Sequence, residues 1–259
     1  MPPPAEPVEI LWTGGWDSTY RVLDLVLVQG RAVRPHYVEA PVRDGSAHEV
    51  AAMGAIRAGI ERRGLGHLVA ALQMVNEDDV APDPRTLPWL LALRARSFLG
   101  WQYEYLSRYA RETLGDRRLL ELSVHLDDKA EGFLRPHVVR SGDAYVLRDD
   151  VRDEPVRLFE PFSFPLLDLT KGEMQARAER GGFADLMGLT WFCHAPRGGQ
   201  PCGVCRPCLY TNDEGMGHRL PPAAHRRRRV HAARSLVGRT VRPARALAGR
   251  LLRAVGLRS

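Results

Sequence analysis

Hydrophobic and polar positions alternate along the chain in blocks that predict strands followed by helices. Short apolar runs, typical of buried strands, occur at 8–12, 34–39, 67–75, 119–124 and 156–160. Apolar residues at three- and four-residue spacing, typical of helices, occur at 18–29, 48–63, 88–114, 127–140 and 170–181. A turn at 140–143 is expected to open a hairpin. The alternation predicts an α/β fold with a doubly wound, mostly parallel sheet and helices on both faces.

The first predicted strand runs directly into a glycine turn, residues 13–19, with the sequence TGGWDST. A strand, a glycine turn and a helix start together present backbone N–H groups and a helix N-terminus to an anion. Gly14 and Gly15 let the backbone approach a phosphate closely, and Asp17 is suited to orienting or holding Mg²⁺. No lysine follows the glycines, so the turn is not a Walker A loop. An ordinary strand-to-helix turn with a polar helix cap is the alternative.

All four cysteines of the chain fall within residues 193–208. Their C-x-x-C spacing can place four thiolates around one Zn²⁺ in a closed tetrahedral shell. Two disulfides or a redox dithiol are the alternatives, but a redox pair would not need the other two cysteines. Free or metal-bound thiols fit a reducing cytoplasm, which is the expected location. We therefore predict a structural zinc site formed by Cys193, Cys202, Cys205 and Cys208.

Length and composition indicate one compact enzyme with an appendage, since the chain has 259 residues and 44% hydrophobic content. No apolar run approaches the length of a membrane span, and no signal-peptide pattern is present. The features together predict four segments: a disordered lead at 1–7, a nucleotide-binding domain at 8–190, a zinc-binding lobe packed on it at 191–212 and a basic tail at 213–259.

Charge is distributed unevenly along the chain. Residues 219–259 contain twelve arginines and no acidic residue, and subtracting these twelve charges from the total of +6 leaves −6 for residues 1–218. Apolar residues recur in this tail at three- and four-residue spacing, which predicts a basic amphipathic helix. We expect the tail to contact an acidic partner, a nucleic acid or a membrane surface, or to dock on the chain's own acidic body. A homodimer is also kept open.

The TGGWDST turn resembles the SGG-x-DS loop of the N-type ATP pyrophosphatase (PP-loop) superfamily. Within that superfamily, the segment 190–208, TWFCHAPRGGQPCGVCRPC, resembles the cysteine cluster of the 7-cyano-7-deazaguanine synthase family. Weaker agreements lie between these two motifs, in the expected order: RARSF at 94–98, LLELSVH at 119–125 and PLLDLTK at 165–171. The segment 126–133, LDDKAEGF, departs from the acidic, aromatic stretch of the family that is expected to frame the substrate.

The resemblance implies an adenine nucleotide alpha hydrolase-like fold and an ATP-dependent ligase. Its substrate would be 7-carboxy-7-deazaguanine, adenylated with ATP and Mg²⁺ and converted with ammonia to the amide and the nitrile. The residues expected to bind ATP are Thr13, Gly14, Gly15, Asp17, Ser18, Thr19 and Arg96. The expected catalytic residues are Asp17, Lys171 and His125. Lys171, Arg96 and His125 each have a structural alternative, as a surface lysine, a solvated helix arginine and a hydrogen-bonded core histidine.

Two other functions remain open. One is a related adenylating ligase that joins a deazapurine or another acid to a different amine, on a protein or a tRNA. The other is a nucleotide-binding protein without catalytic activity, which an intact glycine turn disfavours.

Overall fold

The computed structural model describes residues 6–40, 45–115 and 119–233. It divides into two compact units, at residues 1–191 and 192–259.

Two sequence predictions fall partly outside the described residues. Most of the lead expected to be disordered, residues 1–5, is not described, and neither are residues 234–259 of the basic tail.

The first unit is built on a seven-stranded sheet with the order β3-β2-β1-β4-β7-β6-β5. Its strands are β1 (Val8–Leu11), β2 (Val33–Glu39), β3 (Gln73–Asn76), β4 (Leu120–Glu121), β5 (Val138–Ser141), β6 (Ala144–Leu147) and β7 (Phe162–Phe164). Strands β1, β2, β3, β4 and β7 are parallel, whereas β5 and β6 form an antiparallel hairpin on one edge. The predicted α/β class with a mostly parallel sheet is confirmed.

Seven α-helices accompany the sheet in the described part of the first unit. They are α1 (Trp16–Leu23), α2 (Ser46–Arg62), α3 (Thr86–Arg96), α4 (Gln102–Leu114), α5 (Glu131–Leu134), α6 (Lys171–Arg180) and α7 (Ala184–Met187). Alternate residues of a strand face opposite sides of the sheet. In β1, Leu11 packs into a core that contains residues of α3 and α4, and its neighbour Ile10 is fully buried on the opposite side. The sheet is therefore covered on both faces.

The helical predictions were wrong in two places. The single helix expected at 88–114 is divided, because Ser97 is extended and ends α3 before α4 begins at Gln102. The helix expected at 127–140 is reduced to α5, followed by a 3₁₀ turn with Pro136 near its start and then by β5. Proline lacks the N–H that a longer helix would need at this position.

The strand predictions need similar corrections. The run 156–160 lies in a 3₁₀ helix, Glu154–Phe159, and the strand begins after it at Phe162. The run 67–75 forms a strand only from Gln73. The expected turn at 140–143 is confirmed, since Ser141 pairs with Ala144 across the hairpin.

The second unit is small in its described part, residues 192–233. It contains the four cysteines, the helix α8 (Arg206–Thr211) and a helix at 222–233, which we call the arginine helix because it carries Arg226 to Arg229. Among all described residues, no helix combines the length and the apolar character that crossing a bilayer requires.

Candidate functional site

The glycine turn, His125 and Lys171 meet where the order of strands in the sheet reverses. Strand β1 lies between β2 and β4, so the chain moves outward from β1 to β3 and then returns to the other side of β1. Ligands of open α/β sheets bind outside the carboxyl ends of the strands at such a reversal. The neighbouring strands β1, β4 and β7 lead, respectively, to the glycine turn, to His125 and to Lys171.

The glycine turn has a shape that requires glycine at position 14. Gly14 has φ of +67°, and a Cβ there would lie 2.7 Å from the main-chain oxygen of Glu49. The Gly14 carbonyl accepts a hydrogen bond of 2.9 Å from the Trp191 N–H. The Trp191 ring stacks on His48, with ring centroids 4.3 Å apart. The turn is therefore held between the start of α2 and the end of the first unit.

The start of α1 is suited to an anion. Gly15 is the N-cap residue and has no side chain that could cap the helix, and its N–H donates to Thr13 Oγ1 at 3.4 Å. The first N–H groups of a helix have no partner within the helix, and the helix dipole makes this end positive. A helix start of this kind, placed directly after a glycine turn, favours binding of a phosphate.

The hydroxyl groups of the turn divide into two sets. The Thr13 N–H donates to Ser18 Oγ at 3.3 Å, and the hydroxyls of Thr13 and Ser18 lie 3.4 Å apart at the turn. Thr19 is fully buried instead, and its hydroxyl accepts a hydrogen bond of 2.9 Å from Trp12 Nε1. Because Thr19 is committed to the core, we leave it out of the proposed phosphate site.

Asp17 is the centre of the site. Its Oδ2 atom lies 3.8 Å from Lys171 Nζ and 3.9 Å from His125 Nε2. Its Oδ1 atom is buried and has no hydrogen-bond partner among the described residues. Buried polar atoms are rarely left in this state, so the atom is positioned for a ligand or a cation. The three predicted catalytic residues are thus brought together.

The orientation of His125 follows from one hydrogen bond. His125 is buried, and the Asp127 N–H donates to its Nδ1 atom at 3.2 Å. A neutral imidazole that accepts at Nδ1 carries its proton on Nε2. In this tautomer the Nε2 proton of the ring faces Asp17 Oδ2, 3.9 Å away.

Two further residues, Asp128 and Tyr103, lie near Asp17. The sequence offers Asp127 and Asp128 either as ligands of a substrate or Mg²⁺ or as a plain helix cap, whereas it does not predict Tyr103. Tyr103 is buried in the first turn of α4, and burial raises its pKa well above the usual value, with the nearby charges of Asp128 and Asp17 raising it further. Burial raises the pKa of Asp128, and the charge of Asp17 raises it further. The acidic pair after the fourth predicted strand was a signal for Asp128. Tyr103 has no comparable signal, because aromatic residues are common on buried helix faces.

Arg96 is placed differently from the expectation. Its guanidinium forms a two-pronged ion pair with Asp153, with 2.9 Å between Arg96 Nη2 and Asp153 Oδ1. No contact among the described residues joins it to the glycine turn. We therefore leave Arg96 out of the proposed ATP site.

The second unit carries a separate cluster of thiols. Cys193 Sγ lies 3.8 Å from Cys205 Sγ, and Cys202 Sγ lies 3.9 Å from Cys208 Sγ. All four sulfurs lie within 4.8 Å of one another, and none forms a disulfide. A tetrahedron with metal–sulfur bonds of about 2.3 Å has edges of about 3.8 Å. The sulfurs are therefore spaced for one metal ion.

Backbone N–H groups point at these sulfurs, as expected for thiolates. The Cys202 N–H donates to Cys193 Sγ, and the Cys205 N–H donates to Cys202 Sγ, each at 3.2 Å. Hydrogen bonding from Cys208 lowers the pKa of Cys205 to about 4, whereas burial raises the pKa of Cys193 to about 11. Thiols with raised pKa values require a bound cation to become thiolates near neutral pH.

The donor set fits a closed structural site. Four thiolates fill a tetrahedral shell, so no coordination position remains for a substrate. An iron–sulfur cluster places several iron and sulfide atoms between its thiolates and needs a wider spacing than this.

No protein-family model matches the chain, and no curated protein matches it in sequence. Among solved structures, the U34-tRNA thiolase NcsA from Methanococcus maripaludis with its 4Fe-4S cluster is similar at 14% identity and a TM-score of 0.42. That alignment covers 88% of this chain and 71% of the thiolase. NMN synthetase from Francisella tularensis is similar at 16% identity and a TM-score of 0.35, over 90% of this chain and 86% of the synthetase. At these values neither activity transfers to this chain, so its function has to be inferred from the residues of the site.

Proposed function

We propose that the protein activates a carboxylic acid with ATP, forming an acyl adenylate and releasing pyrophosphate. The observation that carries the proposal is the meeting of Asp17, His125 and Lys171 beside a glycine turn and the start of α1. These groups come from three neighbouring strand ends, which is where a nucleotide binds in this type of sheet.

The phosphates of ATP would lie against the glycine turn. The N–H groups at the start of α1 and the hydroxyls of Thr13 and Ser18 would donate to the phosphate oxygens. Lys171 would supply the cation, since the first unit's only other lysine, Lys129, is exposed. Fixed donors of this kind stabilise the charge that develops on the α-phosphate and on the departing pyrophosphate.

The site also suits Mg²⁺, which prefers carboxylate oxygens and the phosphates of its nucleotide. The unpartnered Oδ1 atom of Asp17 would be its protein ligand. The cation would screen the phosphate charges during transfer of the adenylyl group. We propose Zn²⁺ for the thiol cluster, where it would hold the second unit in shape and take no part in the reaction.

The motif resemblance points to 7-carboxy-7-deazaguanine as the acid and to ammonia as the amine. The carboxylate would attack the α-phosphorus and release pyrophosphate, and ammonia would displace AMP to give the amide. A second ATP would adenylate the amide oxygen, and loss of AMP and a proton would leave the nitrile. Each activation consumes one ATP and yields one AMP.

A second candidate is a ligase with a different amine acceptor. It is favoured by the segment 126–133, which departs from the family pattern. That segment supplies Asp128, beside the proposed phosphate site. Because the glycine turn lies outside this segment, a changed segment would alter the second substrate and keep the turn that is proposed to bind ATP.

The decisive experiment uses 7-carboxy-7-deazaguanine labelled with ¹⁸O in its carboxylate. The full-length protein is incubated with the labelled acid, ATP, Mg²⁺ and ammonium, and AMP and product masses are followed together. Adenylation predicts one ¹⁸O in AMP, because the carboxylate oxygen stays with phosphorus. We expect one molecule of labelled AMP for each molecule of amide formed, and two for each molecule of nitrile.

Labelled AMP without amide or nitrile would assign the activation and point to another amine. Release of ADP, or AMP without label, would contradict adenylation. Asp17→Asn should lower AMP formation about 100-fold or more, as for loss of a group that stabilises transition-state charge. Asp127→Asn is the matched control, because Asp127 is exposed and the substitution removes the same charge as Asp17→Asn.

A further inference from the structure

The arginine helix is attached to the thiol cluster. Arg227 Nε donates to the main-chain oxygen of Cys202 at 2.8 Å, and Arg227 Nη2 donates to that of Pro201 at 3.1 Å. Gly203, with φ of +81°, lies so close to the helix that a Cβ would be 2.4 Å from Ala224 O. The position of the helix therefore depends on the loop that carries the metal ligands.

This attachment turns other arginines outward. Arg226 and Arg229 are exposed, and neither forms an ion pair or hydrogen bond within the described residues. They are three residues apart, so they lie on the same face of the helix. Arg228 lies between them in sequence, and its Nη2 atom is 3.7 Å from Asp213 Oδ1.

The rest of the second unit adds to the positive surface. The guanidinium of Arg206 lies 6.0 Å from the ring centroid of Tyr210, and both side chains are exposed on α8. Arg197 is exposed in a turn. Residues 192–233 contain seven arginines but only two acidic residues. We call the set Arg197, Arg206, Arg226 and Arg229 the basic face.

We propose that the basic face binds the phosphate backbone of a nucleic acid. Arginine matches phosphate oxygens with a planar fork of donors. The exposed pair Arg226 and Arg229, which has no ion pair or hydrogen bond to the described residues, supplies the positive charge that a backbone contact requires. An exposed tyrosine beside an arginine also offers a surface on which an unstacked base can stack. A bilayer is a poorer fit, because Tyr210 and Val230 are the only large apolar side chains exposed in the described part of this unit.

The metal has a defined part in this interaction. It would fix Cys202, whose carbonyl holds Arg227, and thereby fix the direction of Arg226 and Arg229. Nucleic-acid binding should therefore depend on the metal, even though no phosphate contacts it. The inference is independent of the adenylation proposed for the first unit.

The test measures binding of the full-length, metal-loaded protein to a labelled RNA hairpin and to a DNA duplex over a series of salt concentrations. Arg226→Gln/Arg229→Gln should weaken binding about tenfold at physiological salt and reduce the slope of log K against log salt by about 1.4 to 1.8, for two lost phosphate contacts. Arg62→Gln/Arg152→Gln is the control, since both side chains are exposed in the first unit and the charge change is identical. It should change neither value.

Several results would overturn the proposal. One is absence of nucleic-acid binding, and another is an equal loss of binding in the two double variants. Tighter binding to anionic vesicles or to polyglutamate than to nucleic acid, with the same dependence on Arg226 and Arg229, would assign the face to a different partner. Unchanged binding after removal of the metal would refute the metal's part. Thermal unfolding of each variant shows whether it is folded, and release of AMP reports separately on the first unit.

Discussion

Lys171 Nζ lies 3.8 Å from Asp17 Oδ2, which joins the first turn of α6 to the first turn of α1. The position of the lysine is fixed by a capping box. Thr170 Oγ1 accepts from the Glu173 N–H at 3.2 Å, and Glu173 Oε2 accepts from the Thr170 N–H at 2.8 Å. A cation at a helix N-terminus is electrostatically unfavourable. Lys171 is therefore better explained by the anions it faces than by the stability of α6.

Lys171→Ala should lower the rate of AMP formation about 100-fold and raise the KM for ATP, because it removes a cation from the proposed phosphate site. The chain contains only one other lysine, Lys129, which makes Lys129→Ala a natural control. Steady-state kinetics at varied ATP concentration measure both effects. Equal kinetics for the two variants would remove Lys171 from the site.

Gly14→Ala should destabilise the first unit by about 1–3 kcal/mol, because a residue with a Cβ is strained at positive φ. The added methyl group would also press against Glu49 O, 2.7 Å away. Gly54→Ala is the control, since Gly54 lies in α2 with no neighbour near its Cβ position, and it should stabilise by about 0.5–1 kcal/mol. Chemical denaturation measures both changes, and a neutral Gly14→Ala would contradict the conformation of the turn.

Asp128→Asn should make the protein more stable at neutral pH while lowering its activity. Burial raises the pKa of Asp128, so the folded state holds this proton more tightly than the unfolded state. Stability therefore falls as pH rises from the ordinary aspartate pKa, about 3.9, through the raised folded pKa. The amide side chain that the substitution introduces does not ionise, so this fall in stability with rising pH should disappear.

Melting temperatures measured from acidic to neutral pH should accordingly vary less for Asp128→Asn than for the wild type. Asp127→Asn, at an exposed neighbouring carboxylate, should follow the wild-type curve. A parallel fall in stability and activity would indicate a structural role for Asp128 and no part in the reaction.

Removing the metal, or changing Cys208→Ser, should lower the melting temperature by several degrees, because a structural ion binds only the folded state. Elemental analysis should give about one zinc per chain, as four thiolates form one closed shell. Broad visible absorbance with bound iron would instead identify an iron–sulfur cluster. Melting curves unaffected by chelation would exclude a structural role for the cluster.

The glycine turn and the thiol cluster could be predicted from the sequence because each is formed by residues that are close together in the chain. The strand, the glycine turn and α1 are consecutive in sequence, and the thiol spacing was visible in a short segment. Position 14 has positive φ, which glycine adopts readily. The thiol cluster is recognised by the C-x-x-C spacing of its cysteines. The hairpin after Arg140 was predictable for the same reason, since Gly142 lies two residues later and has φ of +61°.

The remaining features depend on contacts between distant residues. Nothing local distinguishes Tyr103 from other buried aromatic residues, since its role arises from the approach of α4 to Asp128. The apolar run at 156–160 has the residue spacing of a strand, but it lies in a 3₁₀ helix whose apolar side chains are buried. Arg96 has a side chain that could bind a phosphate, and only the fold shows that it forms an ion pair with Asp153 instead.

The position of β1 in the sheet has a consequence for biosynthesis. β1 precedes the other strands of this sheet in the chain, and its neighbour β4, which pairs through Ile10 and Glu121, leaves the ribosome only after β2, β3 and four helices. Until then one edge of β1 has no partner, and such long-range pairing is slow and exposed to aggregation. Asp17 meets His125 and then Lys171 only when α6 has been made. Affinity for ATP should therefore appear late in translation, as a marker that the whole first unit has closed.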